Sequence, residues 1–310
     1  MHSRWIFPAC LIVLISALVL VSTLVLVPFK VSADEKYNTI IKTDNCGNYC
    51  ECSDGTICNP KRLVLFLYGI SDSKANVETK PLYSALTKNH KVYIIDYNSG
   101  PGNAYEDIRT YAQYLDSEIK RIRNETNSEK VDIVAHSMGG LISRYRIQNI
   151  PGGEDDVGKL IMIGTPNHGS VLSERNTYCS NPLTPSVFTY CIKHTFNDEY
   201  RPNDPYQALN AMYPGSKFLF ELNNNHATSE DVAKGGVLDK ISNKVKYYVI
   251  AGNSFQNGDW AVKYDSAKLS EVPIYTVTAR HDQQFESQEV TDKVIELLAL
   301  DDSTSVNNFA

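Results

Sequence analysis

The sequence of 310 residues lacks a cluster of basic residues, an internal repeat and a low-complexity segment. Its formal net charge is −6, and residues of both signs are spread along the chain. Domains that bind nucleic acids concentrate lysine and arginine on one face, so nucleic acid is not an expected partner. The length is compatible with two domains, but a single large α/β domain also reaches this size.

Charged residues are also absent from the segment Ile6 to Phe29, which reads IFPACLIVLISALVLVSTLVLVPF. About 20 apolar residues cross a bilayer, and this run exceeds the core of about 7–15 residues in a cleaved signal peptide. The small residues Val31-Ser32-Ala33 follow it and suit a signal peptidase. We predict that residues 1–33 form a transmembrane signal anchor, with a cleaved signal peptide as the alternative. In both cases the rest of the chain is exported, and it is either membrane-anchored outside the cytoplasm or secreted.

Cysteine pairs with the C-x2-C spacing that is common in zinc sites are absent. Cys10 lies inside the apolar run, and the remaining cysteines are Cys46, Cys50, Cys52, Cys58, Cys179 and Cys191. An even number of cysteines in an exported chain predicts disulfides. We predict two local bridges among the first four, whose connectivity the spacing leaves open. A third bridge is predicted to close a loop from Cys179 to Cys191.

Six short apolar runs recur after residue 61, and helical segments lie between several of them. The runs span residues 62–69, 91–98, 130–137, 158–165, 244–252 and 272–279. Runs that are apolar on both faces suit parallel strands covered by helices on both sides. The alternation therefore predicts an α/β fold with a doubly wound, mostly parallel sheet.

The interval 166–243 interrupts this alternation because it contains no strand pattern. A structureless loop of that length is uncommon in a compact domain, so we predict a lid over the carboxyl ends of the strands, where ligands bind in open α/β sheets. The predicted organisation is a membrane segment at 1–33, a cysteine-rich segment at 34–61, an α/β domain at 62–300 that contains the lid, and a tail at 301–310.

A serine follows the third apolar run, in the sequence Ala135-His136-Ser137-Met138-Gly139. A nucleophile between a buried strand and a helix requires a sharp turn, which lifts the hydroxyl off the sheet edge and points the helix amino terminus at the reaction centre. Small residues two positions before and after the serine leave room for this turn. Helix capping is the alternative role for such a serine. Its place at the end of a strand in an alternating chain favours a nucleophile.

A nucleophilic serine requires a base and an acid that orients the base, and in this architecture both follow the serine along the chain. Three histidines follow the first turn of the predicted lid: His194, His226 and His281. We predict His281 as the base because it stands just past the sixth run, whereas the other two lie within the lid. Asp259, past the fifth run, is the predicted acid. Asp265 is the alternative, and Asp282 is too near His281 along the chain to be preferred.

Two backbone N–H groups are predicted to stabilise the oxyanion of such a reaction. One belongs to Met138, directly after the serine, and the other to Ile70, in the turn after the first run. Gly69 lets the chain turn there. This chemistry requires no metal and no organic cofactor.

These motifs, in this order, resemble the α/β-hydrolase superfamily, in particular secreted bacterial triacylglycerol lipases and esterases. The resemblance covers residues 62–300 and is carried by AHSMGG at 135–140, IGTPNHGS at 163–170, YPGSKFLFELN at 213–223, GDWAVKYDSAKL at 258–269 and His281. The chain departs from the usual pattern at Tyr68, where a histidine is usual, at Trp260, where a small residue is usual, and at Ala135, where glycine is usual.

The resemblance implies that Ser137, Asp259 and His281 form a catalytic triad that hydrolyses acyl esters of lipids through an acyl-enzyme on Ser137. A lipid or acyl-ester substrate is the implied partner, and the membrane is contacted through the amino-terminal apolar segment. Inositol deacylases of lipid anchors and protein-palmitoyl thioesterases are similar in kind, so the acyl substrate stays open. The alternatives are a catalytically silent hydrolase fold used for adhesion, and an acyltransferase or thioesterase of the same fold.

Overall fold

The computed structural model describes residues 40–42, 62–70, 72–97, 106–173, 207–224, 239, 241–255 and 257–300. All of them fall within one compact unit that starts at Tyr37. None of the helices in these ranges is long and apolar enough to span a membrane. The predicted membrane segment, the six cysteines of the predicted bridges and the tail lie outside the described residues, so those expectations stay predictions.

A seven-stranded sheet forms the centre of the described residues, with the strand order β1-β3-β2-β4-β5-β6-β7. The strands are β1 Ile40–Lys42, β2 Leu63–Leu67, β3 Val92–Ile94, β4 Val131–His136, β5 Val157–Ile163, β6 Lys246–Gly252 and β7 Ile274–Val277. Strands β2 to β7 run parallel to one another and coincide with the six predicted apolar runs. The prediction of a mostly parallel α/β sheet is therefore confirmed. The edge strand β1, which pairs antiparallel with β3, is not predicted by the sequence pattern.

Eight helices connect and cover the strands within the described ranges. They are α1 Lys74–Val77, α2 Pro81–Thr87, α3 Ile108–Thr126, α4 Met138–Asn149, α5 Gln207–Ala211, α6 Lys217–Asn224, α7 Tyr264–Ala267 and α8 Gln288–Ala299. Single 3₁₀ turns span Val171–Ser173 and His281–Gln283. Helix α3 packs against α4, and α2 packs against α8. Every residue of β2, β4 and β5 is buried, because helices cover both faces of the central strands.

The register of the sheet sets which loops meet at its carboxyl edge. Leu67 of β2 pairs with Ala135 of β4, so Gly69 and Ser137, each two residues further on, leave the sheet side by side. Strands β6 and β7 are neighbours on the other side of β5, and the loops that follow them also open at this edge.

The interval 166–243 contributes the Val171–Ser173 turn, α5 and α6 to the described structure, and its described residues include no strand. Helix α6 contacts α4, which begins directly after Ser137. That this interval forms a lid over the carboxyl ends of the strands stays a prediction.

Candidate active site

Ser137 occupies the sharp turn between β4 and α4. Its backbone lies at φ 54° and ψ −126°, a region that costs a residue with a side chain about 1–3 kcal/mol. The Ser137 N–H donates to the Ile163 carbonyl of β5 over 2.9 Å, which ties the turn to the sheet. The following Gly139 is required by packing, because a Cβ there would lie 3.0 Å from both the Leu67 Cβ and the Tyr68 carbonyl oxygen. The fully buried Ala135, by contrast, keeps its methyl group within β4.

His281 opens the 3₁₀ turn after β7 and reaches over the edge of the sheet to Ser137. Its Nε2 lies 2.9 Å from Ser137 Oγ, and its Nδ1 lies 2.8 Å from Asp259 Oδ2. Because an ionised carboxylate only accepts, the proton of the neutral imidazole is on Nδ1, and Nε2 accepts from the serine hydroxyl. The His281 N–H also donates to the Asp259 carbonyl oxygen over 3.0 Å, so the acid and the base are joined through side chain and backbone.

Asp259 is fully buried, and both oxygens of its carboxylate accept hydrogen bonds. Oδ1 accepts from the N–H groups of Ala261 and Val262 over 3.0 and 2.7 Å. Oδ2 accepts from His281 and, over 2.9 Å, from Gln284 Nε2. A buried carboxylate with this many donors is held in one orientation. Trp260, at φ 77°, makes the tight turn that brings the two backbone donors onto Oδ1.

The other acids considered from the sequence lie elsewhere. The Asp265 side chain is 72% exposed and binds Lys268 over 2.7 Å. Asp282 is about half exposed and accepts from Trp260 Nε1 and Arg280 Nε, each over 3.2 Å. The structure therefore brings Asp259, and neither of these two, to the base. His194 and His226 lie outside the described residues.

The two predicted oxyanion donors border Ser137. Met138 is the first residue of α4, where backbone N–H groups have no acceptor within the helix. Gly69 packs directly on the serine, because a Cβ built on it would lie 2.8 Å from Ser137 Cβ and 3.3 Å from Ser137 Oγ. Ile70 follows in the same half-buried turn. Both N–H groups thus belong to segments that flank the hydroxyl.

His136 is a neighbour of the site that no sequence motif identifies. Its ring centroid lies 4.6 Å from that of His281 and 4.6 Å from that of Phe285. Burial, together with the nearby His281, lowers the pKa of His136 well below 6.5. His136 is therefore neutral. Gln284, which donates to Asp259, is not predictable from the sequence either. No rule of spacing connects Gln284 or His136 to Asp259 or His281.

Asn167, in the segment after β5, holds the acid-bearing loop in place. Its Nδ2 donates to the Ala267 carbonyl over 2.7 Å, and its Oδ1 accepts from the fully buried Arg144 over 3.0 Å. Asn223 of α6 donates to the Asn167 carbonyl over 2.9 Å. Nearby, Ser170 Oγ donates to the Ala261 carbonyl over 2.8 Å. The segment 163–170 therefore joins α4, α6 and the loop that carries Asp259.

The described residues contain no group of three His, Cys, Asp or Glu side chains that could hold a metal ion. The side chains that converge at the carboxyl edge are a hydroxyl, an imidazole and a carboxylate. In this order they can move the hydroxyl proton to the imidazole and make the serine oxygen nucleophilic.

Comparison with solved structures places the fold among the α/β-hydrolases. The mature lipase BlEst2 of Bacillus licheniformis superposes with a TM-score of 0.57 at 16% identity, over 77% of this chain and 93% of that chain. Lipase B of Aspergillus fumigatus superposes with a TM-score of 0.54 at 16% identity, over 84% of this chain and 56% of that chain. At these identities the likeness shows the fold alone.

Sequence comparison gives one local and one extended match. Triacylglycerol lipase 2 of Saccharomyces cerevisiae is 35% identical over 75 residues, which is 24% of this chain and only 23% of that protein. The family model for palmitoyl protein thioesterase matches residues 63–250, more than half of the chain, from β2 through Ser137 to β6. Asp259 and His281 follow the matched range. The chain belongs to the palmitoyl protein thioesterase family, within the α/β-hydrolase fold of lipases and esterases.

Proposed function

We propose that this protein hydrolyses carboxylic acyl esters of lipids through an acyl-enzyme on Ser137. The observation that carries the proposal is the continuous hydrogen-bonded path from Asp259 Oδ2 to His281 Nδ1 and from His281 Nε2 to Ser137 Oγ, with distances of 2.8 and 2.9 Å. The local similarity to a yeast triacylglycerol lipase supports an acyl ester as the substrate class.

In the proposed reaction, Ser137 Oγ attacks the carbonyl carbon of the ester while His281 Nε2 takes the hydroxyl proton. Asp259 holds the imidazole in the tautomer that accepts at Nε2 and stabilises the imidazolium that forms. The N–H groups of Met138 and Ile70 bind the developing oxyanion. His281 then gives its proton to the leaving alcohol, and a water molecule, activated in the same way, releases the acid from the acyl-enzyme.

Thioester hydrolysis is the second candidate, and the match to the palmitoyl protein thioesterase family favours it. The acyl-enzyme is the same, and only the leaving group differs. A thiol, with a pKa of about 8.5, leaves with less help from a proton donor than an alcohol does. Transfer of the acyl group to an alcohol also proceeds through this intermediate, and product analysis with added alcohol distinguishes it from hydrolysis.

The test uses the full-length chain in detergent with p-nitrophenyl esters of increasing acyl length and with matched acyl thioesters. We expect turnover by the wild type, and a loss of several orders of magnitude in Ser137→Ala. Ser84→Ala, which changes an exposed serine on α2, is the matched control and should retain full activity. A folded wild type that neither turns over nor reacts with a phosphonate serine probe would instead favour the silent adhesion fold.

We also propose that residues 1–33 anchor the protein in a membrane with the remainder outside the cytoplasm, or are cleaved to release it. The uncharged run from Ile6 to Phe29 supports this proposal. Sequencing the amino terminus of the mature protein and extracting membranes with carbonate separate the two outcomes. Recovery of the uncleaved chain in the soluble cytoplasmic fraction would contradict both.

A further inference from the structure

Tyr68 stands at the position before the oxyanion turn where related hydrolases usually have histidine. Its side chain is fully buried, and its hydroxyl donates a hydrogen bond to Asp96 Oδ1. The sheet register explains the contact. Phe66 of β2 pairs with Ile94 of β3, so Tyr68 and Asp96, each two residues further on, leave the sheet as neighbours.

The Tyr68 ring packs against other buried aromatic rings. Its centroid lies 4.8 Å from that of Tyr97, which in turn lies 5.1 Å from that of Tyr111 on α3. Both neighbouring rings are fully buried. The aromatic side chain therefore connects the end of β2 to the end of β3 and to α3.

The backbone of Tyr68 meets the start of α4, because its carbonyl oxygen lies 3.0 Å from the position a Cβ would take on Gly139. Gly69, the next residue, packs on Ser137, and Ile70 carries the proposed oxyanion donor. A displacement of Tyr68 would thus shift the following peptides, which lie beside the serine. The carboxylate of Asp96 is itself only 8% exposed, and hydrogen bonds to a buried charged acceptor are strong.

We infer that Asp96 is a positioning residue that acts through Tyr68 to hold the Gly69–Ile70 peptides, and with them the Ile70 N–H, against the oxyanion. The inference rests on the proposed ester hydrolysis at Ser137. Neither residue touches the reacting atoms. Their role is to fix a backbone donor before the substrate binds.

Tyr97 offers a matched control in the same cluster of rings. Its hydroxyl is buried and has no hydrogen-bond partner within the described structure. Tyr97→Phe therefore removes the same atom as Tyr68→Phe, from a ring in contact with it, without breaking a hydrogen bond. Any effect of a lost hydroxyl on packing alone appears in both variants.

The experiment compares wild type, Tyr68→Phe, Asp96→Asn, their double variant and Tyr97→Phe as full-length proteins. It measures kcat and KM on a p-nitrophenyl ester, the inhibition constant of a boronic acid that forms a tetrahedral anion on serine, and the unfolding midpoint. We expect Tyr68→Phe to lower kcat by about 10- to 100-fold with KM within about twofold, because a misplaced donor weakens transition-state binding. The inhibition constant of the boronic acid should rise by the same factor.

Asp96→Asn keeps an acceptor but loses the charge, so we expect a smaller loss of about three- to tenfold. The double variant should lose no more than Tyr68→Phe alone, because the two residues act as one unit. Tyr97→Phe should stay within about twofold of wild type. If Tyr68→Phe is recovered unfolded, the expected three- to tenfold loss of kcat in Asp96→Asn tests the inference instead.

The inference is overturned if Tyr68→Phe and Asp96→Asn lower only the unfolding midpoint and leave kcat and boronic acid affinity unchanged. It is also overturned if Tyr97→Phe loses as much activity as Tyr68→Phe, or if the single losses multiply in the double variant. An inactive wild type that resists the phosphonate probe would be a failure of the proposed function itself, which this set of variants separates from a failure of the inference.

Discussion

The backbone carbonyl oxygen of His281 lies 3.2 Å from Nε2 of His136, the residue directly before Ser137. A carbonyl only accepts, so the proton of the neutral His136 ring is on Nε2. Two imidazoles thus lie beside the serine, with their centroids 4.6 Å apart and their planes tilted by 40°. His136 fixes the peptide of the base and, being neutral, does not repel the positive charge that His281 acquires in the proposed reaction.

The first prediction concerns stability and pH. Because the pKa of His136 in the folded protein is well below 6.5, the unfolded chain binds one more proton below that pH. The contribution of neutral His136 to the free energy of unfolding is therefore complete above about pH 6.5. As the pH falls below this value, the free energy of unfolding decreases by up to about 1.4 kcal/mol per pH unit, until the pKa of His136 in the folded protein is reached. We expect urea unfolding of His136→Phe to depend less on pH than that of the wild type between about pH 7 and pH 5.

Tyr97→Phe is the control for this comparison, because burial raises the pKa of Tyr97 well above 10 and its hydroxyl does not titrate in the same range. It should keep the pH dependence of the wild type. Identical slopes in wild type and His136→Phe would show that His136 is not held neutral by the fold.

The second prediction distinguishes Asp259 from Asp265, the alternative acid that the sequence offers. In Asp259→Asn, the amide can donate to His281 Nδ1 and favour the tautomer with a proton on Nε2, which cannot accept from Ser137. We expect kcat to fall about 1,000- to 10,000-fold, as in other triads that lose the carboxylate. Asp265→Asn changes an exposed residue and should leave kcat unchanged. Equal losses in the two variants would contradict the assignment of Asp259.

The strands and the order of the site residues were predictable because both depend on local patterns. Strands β2 to β7 are short apolar runs, and the turn at Ser137 carries small residues where the backbone needs them. By contrast, β1 has only three residues, lies within the predicted cysteine-rich segment 34–61 and pairs with β3. A run that short shows no recognisable periodicity.

The supporting contacts were not predictable, since they depend on packing between segments far apart in the chain. His136 and the carbonyl of His281 are separated by 145 residues, and Tyr68 and Asp96 by 28. The sequence shows that Tyr68 replaces the usual histidine, but it does not show that Asp96 accepts the hydrogen bond of Tyr68. The alternation of strands predicts that Asp259 and His281 lie at one edge, whereas only the three-dimensional structure shows that Gln284 and Ala261 donate to Asp259.

The third prediction tests the space between the oxyanion turn and the serine. In Gly69→Ala the new methyl would lie 2.8 Å from Ser137 Cβ and 3.3 Å from Ser137 Oγ, so one of the two backbones must move. We expect kcat to fall about 100-fold, since displacements of this size weaken transition-state binding strongly. Ala135→Gly is the control, because it removes a methyl group two residues before Ser137 and restores the glycine that is usual there. It should keep kcat near that of the wild type. A fully active Gly69→Ala would exclude Ile70 as a donor.

The fourth prediction concerns a buried ion network far from the proposed reaction. Arg146 of α4 is fully buried and contacts Asp116 of α3 over 2.9 Å and Asp156, the residue before β5. Removing one partner of a buried pair typically costs about 3–5 kcal/mol. Without Arg146, the two carboxylates would keep only the more exposed Lys120 and Arg123 as partners. We expect Arg146→Met to lower the free energy of unfolding in urea by that amount while kcat, measured where the variant is folded, stays unchanged. Because α4 begins directly after Ser137, a parallel loss of kcat in the folded variant would show that this network also positions the serine.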